Sequence, residues 1–309
     1  MEPIGVLVMA YGGPASLEEI PGYLADIRSG RPTTPEVLEE ITNNYRRIGG
    51  SSPLLEISRS QANALQDRLG TDPYRVYLGM RHWSPWIEDV VGSMIDDGIT
   101  RAVSIVLAPH YSSMSVRRYQ QKITDGLDMY HGEIRFRHVD SYHENANLIA
   151  AFANRLQTSL EKWPEDRRDA IHVVFSAHSL PVRIVREGDP YDTQLRRTAE
   201  LIAKHAEISP DQWSWSYQSA GKSPEPWLGP DLPDHLRELS KTGVTDVLVQ
   251  PVGFVSDHVE ILFDIDIEAQ ETAEETGIRL ERPEALNDDP LYIRALEDAV
   301  REAAAPWVV

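Results

Sequence analysis

The sequence contains no cysteine, which excludes several metal and redox chemistries at once. A chain without cysteine forms no disulfide bond, no cysteine-based zinc finger and no cysteine-ligated iron–sulfur cluster. Any metal ion must then be held by nitrogen and oxygen atoms. We therefore expect no iron–sulfur cluster and no other tightly bound cofactor.

Positive charge is also scarce, with 30 Lys and Arg residues against 49 Asp and Glu residues and a formal net charge of -19. Because nucleic acids and anionic membranes bind basic surfaces, we expect neither as a partner. No basic residue precedes Arg28, and no apolar run approaches the roughly 20 residues that a membrane helix needs. We expect a cytoplasmic protein whose surface attracts cations.

Short runs rich in β-branched residues alternate with longer helical patterns along the chain. The predicted strands are Val6 to Ala10, Arg75 to Met80, Ala102 to Ala108, Ile134 to Val139, Ile171 to Ala177, Trp213 to Gln218, Val247 to Val252 and Ile278 to Leu280. The predicted helices include Leu54 to Leu69, Trp86 to Asp97, Asn145 to Leu160, Tyr191 to Ala206 and Leu291 to Ala303. This alternation is typical of an α/β fold with parallel sheets.

The two halves of the chain resemble each other. Val6 to Pro14 and Val173 to Pro181 each run from a strand through an alanine and a ring side chain, Tyr11 or His178, to a proline. The repeat predicts two similar doubly wound, Rossmann-like domains. Because open parallel sheets bind ligands outside the carboxyl ends of their strands, we expect both ring side chains to line one interdomain cleft.

The domain boundary is predicted near the middle of the chain. We assign residues 1–145 to the N-terminal domain and residues 146–309 to the C-terminal domain. The last helix is a candidate for packing back on the first domain.

His178 is the first candidate for chemistry, because it follows an apolar strand. A lone histidine at a strand end is most often a hydrogen-bonded structural residue. The functional interpretation is a neutral imidazole that binds a metal ion or accepts a proton. The residues alone leave both interpretations open.

An acidic stripe is the second candidate. On a helix, Glu260, Asp264 and Glu268 lie at i, i+4 and i+8 and share one face. A solvated acidic face is the simpler explanation, but apolar residues such as Ile261 and Ile265 separate the carboxylates and indicate partial burial around a cation. Apolar residues also recur with a period of two here, so we expect a distorted or widened helix.

Basic residues gather in one short region of an otherwise acidic chain. Arg28 and Arg31 lie at the probable end of the first helix, where cations favour the helix dipole, and Arg46 and Arg47 follow in a nearby segment. The same residues form the densest basic patch in the sequence. An anionic ligand is expected to dock there.

Three motifs together resemble ferrochelatase. They are Ser176 to Pro181, Pro251 to Glu260 and Pro226 to Pro230, and the resemblance extends from Val6 to about Ala299. The sequence is most similar to the soluble, cluster-free type of Gram-positive bacteria. That resemblance implies a monomeric enzyme of two Rossmann-like domains that inserts its substrate Fe²⁺ into coproporphyrin III during haem biosynthesis.

The resemblance also implies site residues. His178 and Glu260 match the catalytic residues that bind the metal, and Asp264 and Glu268 match an acidic line that continues toward the surface. Residues matching an axial ligand and contacts around the macrocycle are Tyr11, Arg28, Asn44, Tyr45, Ser52 and Tyr119. Asn44 departs from the arginine common in the family, which puts a propionate contact there in doubt.

Three other functions stay open at this point. The chain could use protoporphyrin IX in place of coproporphyrin III, or load cobalt or nickel into another tetrapyrrole. A non-catalytic haem or iron carrier with the same site is the third. Coproporphyrin III is favoured by the absence of cysteine and of a membrane-binding C-terminal extension.

Overall fold

The computed structural model describes residues 2–221 and 223–308. Its strands are β1 (Ile4–Ala10), β2 (Tyr74–Met80), β3 (Arg101–Val106), β4 (Arg135–Val139), β5 (His172–His178), β6 (Trp213–Gln218), β7 (Asp246–Pro251) and β8 (Arg279–Glu281). All eight predicted strands are confirmed, and no bound shifts by more than two residues.

The helices occupy the intervals between strands, as an α/β fold requires. They are α1 (Ile20–Ile27), α2 (Pro35–Arg47), α3 (Leu54–Leu69), α4 (Ile87–Asp96), α5 (Val116–Tyr130), α6 (Ala146–Leu160), α7 (Glu165–Arg168), α8 (Val182–Arg186), α9 (Tyr191–His205), α10 (Leu232–Lys241), α11 (Val259–Leu262), α12 (Gln270–Thr276) and α13 (Pro290–Ala304). A π-helical segment, Asp264–Ala269, separates α11 from α12. Among the described residues, no helix has the length and hydropathy to cross a membrane.

The strands form two four-stranded sheets with the same connectivity. The orders are β2-β1-β3-β4 and β6-β5-β7-β8, and every pairing between neighbouring strands is parallel. The repeated sequence motifs begin on β1 and β5, which hold the same position in their sheets. The predicted α/β fold with two similar Rossmann-like sheets is confirmed.

The chain divides into two compact units, residues 1–142 with 287–309 and residues 143–286. The predicted boundary at 145 lies three residues from the first division, and the last helix, the candidate for packing back on the first domain, is grouped with the first unit. Helix α13 belongs to the first unit because it packs against α3, β3 and β4. Its buried face includes Tyr292, whose hydroxyl lies 3.2 Å from that of Tyr142.

Each unit has its own apolar core on one face of its sheet. In the first unit, residues such as Leu7, Val91 and Ile123 pack between the sheet and helices α4 and α5. In the second, Val249 on β7 packs with Ile261 and Ile265, which belong to the segment that carries the acidic stripe. The core therefore fixes how that segment is rotated.

Candidate active site

His178 is the last residue of β5, a strand with neighbours on both sides. Its main chain is held from a second element, because the hydroxyl of Tyr191 on α9 donates a hydrogen bond to the carbonyl oxygen of His178 at 3.0 Å. Tyr191 is buried. The histidine therefore projects from a rigid strand end rather than from a loop.

Glu260 lies in the first turn of α11, and its carboxylate meets His178. The Nδ1 atom of His178 lies 3.0 Å from Oε2 of Glu260, and the two side chains are 30% and 31% exposed. An imidazole that donates its Nδ1 proton to a carboxylate presents Nε2 for other chemistry. The predicted pair is thus in direct contact while remaining open to solvent.

Burial and charge compete at this pair. Burial disfavours the imidazolium, yet the Glu260 carboxylate outweighs it and raises the pKa of His178 above its ordinary value. Burial likewise disfavours the Glu260 carboxylate, but His178 and His258 hold the pKa of Glu260 well below its usual range. The carboxylate is therefore charged near neutral pH and stabilises a proton on His178.

Sequence reasoning did not select His258, which lies beside the pair. Its Nε2 atom is 3.8 Å from Oε2 of Glu260, while its Nδ1 donates to the carbonyl oxygen of Ser256 at 2.8 Å. The ring of Phe254 packs edge-on to His178, with centroids 6.4 Å apart, and 4.7 Å from the ring of His258. The sequence did contain a signal for His258, because Ser256 and His258 lie between the strand end and Glu260.

The acidic stripe begins on α11 and continues into the π-helical segment. Ile261 and Ile265 are buried, and the carboxylates of Glu260 and Asp264 each precede one of them and are partly exposed. Glu268, one step farther, is exposed. The prediction of a widened helix at this stripe is confirmed.

Asp264 is the stripe residue whose pKa is raised. Burial and the nearby Glu260 carboxylate raise the pKa of Asp264 to about 7, although the Ser219 hydroxyl donates a hydrogen bond to it. Near neutral pH its charge can change with small shifts in conditions. Within residues 2–221 and 223–308, however, no three His, Asp or Glu side chains form a group that could hold a metal ion.

In the first unit, Tyr11 follows β1 and heads a cluster of rings. Its ring lies 4.6 Å from that of His82, and the guanidinium of Arg81 lies 5.9 Å from the Tyr11 centroid and 5.4 Å from that of Tyr119. Tyr11 is 38% exposed and Tyr119 is buried. The structure therefore brings these two predicted residues together through Arg81.

Arg81 and His82 were missed by the sequence analysis. They directly follow β2, the neighbour of β1, so the rule that selected Tyr11 also applies to them. The Nδ1 atom of His82 lies 2.6 Å from the Asp26 carboxylate. Burial lowers the pKa of His82 in spite of that carboxylate, which favours a neutral ring.

The remaining predicted porphyrin contacts lie near the helices α1 and α2. Arg28 caps the end of α1 and donates to the carbonyl oxygen of Pro32 at 3.1 Å, while Asn44 and the buried Tyr45 lie in the last turn of α2. The amide of Ser52 donates to Pro14, in the loop after β1, at 2.9 Å. Ser52 is thereby fixed next to the segment that begins with Tyr11.

A family model for ferrochelatase matches residues 3–304 of the chain. The ferrochelatase of Deinococcus radiodurans is 58% identical over 306 residues, which cover 98% of this chain and 97% of the relative. The coproporphyrin III ferrochelatase of Geobacillus kaustophilus is 42% identical over 301 residues, or 96% of this chain and 94% of the relative.

Solved structures agree at the level of the fold. The sirohydrochlorin chelatase SirB of Bacillus subtilis subspecies spizizenii, in complex with cobalt, has a TM-score of 0.60 and covers 99% of this chain and 96% of its own. At 12% identity that likeness shows the fold alone. The family match over nearly the whole length, together with the close relatives, shows that the chain belongs to the ferrochelatase family of enzymes, which insert metal into porphyrin.

Proposed function

We propose that this ferrochelatase inserts Fe²⁺ into coproporphyrin III, with His178 and Glu260 as the pair that handles the metal and the pyrrole protons. The observation that carries the proposal is the 3.0 Å contact between His178 Nδ1 and Glu260 Oε2. A partly exposed imidazole against a charged carboxylate, at the carboxyl end of a parallel sheet, is suited to this chemistry.

Metal insertion requires Fe²⁺ to lose its water. Imidazole and carboxylate ligands suit a borderline divalent ion without holding it as tightly as thiolates would. We propose Asp264 and Glu268 as further metal contacts, since they continue from Glu260 toward solvent. Carboxylates placed one after another let the ion exchange its bound water molecules for protein oxygen atoms one at a time.

Insertion also requires two pyrrole nitrogens to lose their protons. When His178 donates Nδ1–H to Glu260, the lone pair of its Nε2 atom is left for a pyrrole proton. The raised pKa of His178 favours that transfer, because the adjacent carboxylate stabilises the resulting imidazolium. We assign proton acceptance to Nε2 of His178, which takes the two protons in turn and releases each to solvent, and metal contact to the Glu260 carboxylate.

The porphyrin carries carboxylates and needs cations to dock. Arg28 lies at the end of α1, Arg46 and Arg47 lie in the last turn of α2, and these two helices pack together. The Nε atom of Arg28 is buried and has no hydrogen-bond partner among the described residues. We propose that this patch, with Tyr45, Ser52 and Tyr119, receives the propionates of coproporphyrin III, while Asn44 supplies at most a neutral contact.

The preference for coproporphyrin III is supported by the relative from Geobacillus kaustophilus, which is named for that substrate. The test is to compare kcat/KM for iron insertion into coproporphyrin III and protoporphyrin IX under anaerobic conditions. We expect coproporphyrin III to be the better substrate. A higher kcat/KM for protoporphyrin IX would reject the substrate assignment while leaving the family unchanged.

The same assay separates the other candidate functions. Replacing Fe²⁺ by Co²⁺ or Ni²⁺ tests for a different chelatase, and the absence of any metalloporphyrin product would indicate a carrier. The axial-ligand role of Tyr11, the monomeric state, the cytoplasmic location and the absence of a tightly bound cofactor stay predictions. Light scattering of the purified protein checks the oligomeric state.

A further inference from the structure

Gln218 is a buried amide that contacts both elements of the His178–Glu260 pair. It is the last residue of β6, is 2% exposed, and pairs in register with His178 on β5. Its main-chain carbonyl accepts a hydrogen bond from the amide of Ser179 at 2.7 Å. The backbone of Gln218 therefore adjoins the strand end that presents the imidazole.

The side chain of Gln218 connects that strand to the helix carrying Glu260. Its Oε1 accepts from the hydroxyl of Ser176 at 2.9 Å, and its Nε2 donates to the carbonyl oxygen of Glu260 at 2.5 Å. Ser176 precedes His178 by two residues, so both side chains lie on one face of the strand. One amide thus links the strand of the histidine to the backbone of the glutamate.

The residue after Gln218 has a strained backbone. Ser219 has a φ of 59°, a left-handed conformation that disfavours residues other than glycine, and its hydroxyl donates to the carboxylate of Asp264. The side chains of Gln218 and Ser219 therefore contact Glu260 and Asp264, which are neighbours in the acidic stripe. Stability alone does not favour a serine with a left-handed backbone at this position.

We propose that Gln218 is a positioning residue that sets the separation between the His178 imidazole and the Glu260 carboxylate. The inference rests on the proposed role of that pair. A glutamine can accept from Ser176 and donate to Glu260 at the same time, whereas an ionised glutamate or an apolar side chain cannot. Loss of the donor leaves the first turn of α11 free to shift, and the metal-handling atoms lose their alignment.

The test uses the full-length enzyme with Gln218→Glu and Gln218→Met. Gln218→Met removes both the donor and the acceptor, and Gln218→Glu keeps the size and removes the donor at a pH where the new carboxyl is ionised. We expect kcat/KM for Fe²⁺ to fall about 10- to 100-fold, mainly through KM for the metal. Porphyrin affinity, measured by fluorescence quenching without metal, should stay unchanged.

A matched control is Gln66→Glu in the first unit. Gln66 also bridges backbone groups, accepting from Val76 at 2.8 Å and donating to Gly70 at 2.7 Å, so it reports the stability cost of losing such an amide. This variant should lower the unfolding midpoint without changing KM for Fe²⁺. If the Gln218 variants behave in the same way, the inference is overturned.

The variant His178→Ala tests the proposed role of the His178–Glu260 pair separately from the positioning role of Gln218. If it is inactive while both Gln218 variants keep the wild-type KM for Fe²⁺, only the positioning role is rejected. If His178→Ala remains active, the proposed role of the pair fails and the positioning role fails with it.

Discussion

The carboxylate of Glu260 accepts the Nδ1 proton of His178 across a contact of 3.0 Å between residues 82 positions apart. The histidine is fixed by its strand and by Tyr191, and the glutamate by Gln218. Each partner changes the proton affinity of the other. This coupling makes the pair testable by pH as well as by activity.

The first prediction concerns Glu260→Gln and the pH dependence of stability. The lowered pKa of Glu260 adds stability above about pH 4.3, and the raised pKa of His178 adds stability below about pH 6.5, which is lost as pH rises through the folded value. Their combined contribution is therefore greatest near pH 5 to 6. The variant should lose about 1 to 2 kcal/mol at pH 5.5 and less at pH 9.

Urea unfolding of metal-free enzyme at both pH values measures this difference. A loss of equal size at pH 5.5 and pH 9 would contradict the coupling. Insertion activity of the same variant should fall at all pH values, because a neutral amide cannot stabilise the imidazolium.

The second prediction is that Asp264→Asn makes the protein more stable and a poorer enzyme. A carboxyl whose folded pKa is raised to about 7 costs folding free energy that grows as pH rises from about 4 to 7. Removing the charge should therefore stabilise the fold by about 1 to 2 kcal/mol at pH 8, after allowance for partial exposure. The gain should vanish near pH 4.

Paired measurements at pH 4 and pH 8 check the sign, and KM for Fe²⁺ checks the functional cost. Glu238→Gln on α10 supplies a control in the same unit, because Glu238 is exposed, pairs with Lys241 at 2.6 Å and is not part of the stripe formed by Glu260, Asp264 and Glu268. If Asp264→Asn were less stable than wild type at pH 8, the electrostatic assignment would be wrong.

The third prediction concerns substrate docking at Arg28. Arg28→Ala should raise the Kd for metal-free coproporphyrin III about tenfold at low salt, because a charge-assisted hydrogen bond to a propionate is lost. High salt should reduce the difference by screening. Fluorescence titrations at two ionic strengths measure it, and Arg237→Ala on α10 should leave the Kd unchanged.

The fourth prediction concerns the core of the second unit. Asp246 is 2% exposed and accepts hydrogen bonds from the indole of Trp163, at 3.2 Å, and from Arg167. Asp246→Ala leaves the buried indole N–H without its partner and should cost about 2 to 3 kcal/mol. Asp234→Ala removes an exposed ion pair with Arg237 and should cost less than about 0.5 kcal/mol.

Chemical denaturation of both variants checks that contrast. The KM values for metal and porphyrin should remain those of wild type in each. An Asp246→Ala protein as stable as Asp234→Ala would show that the indole finds another partner.

The central strands β1, β3, β5 and β7 were predictable because they are mostly buried on both faces and read as nearly continuous apolar runs. The repeat beginning at Val6 and Val173 also predicted that the halves share one connectivity. The unit on which α13 packs was harder to predict. The sequence of an amphipathic helix shows which face is buried but not which surface that face contacts. Its place in the first unit depends on contacts with α3, β3 and β4.

The candidate site was predictable where a residue type stood at a strand end, as for Tyr11 and His178. Gln218 was not, because its importance lies in two hydrogen bonds that only the folded chain creates. Asp26, which lies 56 positions from its partner His82, was missed for the same reason, whereas His82 itself follows a strand end. Spacing along the chain predicts faces of helices and edges of sheets, but not pairs formed across elements.

The π-helical segment Asp264–Ala269 makes the site depend on chain length as well as on chemistry. A wide turn holds one more residue than a regular turn, so deleting a single residue there would restore an ordinary helix. A deletion in the flanking regular turns would instead rotate every residue before it by about 100° relative to the residues after it. The wide turn thus accommodates its extra residue without such a rotation, so Ile261 and Ile265 stay in the core while Glu260 faces His178.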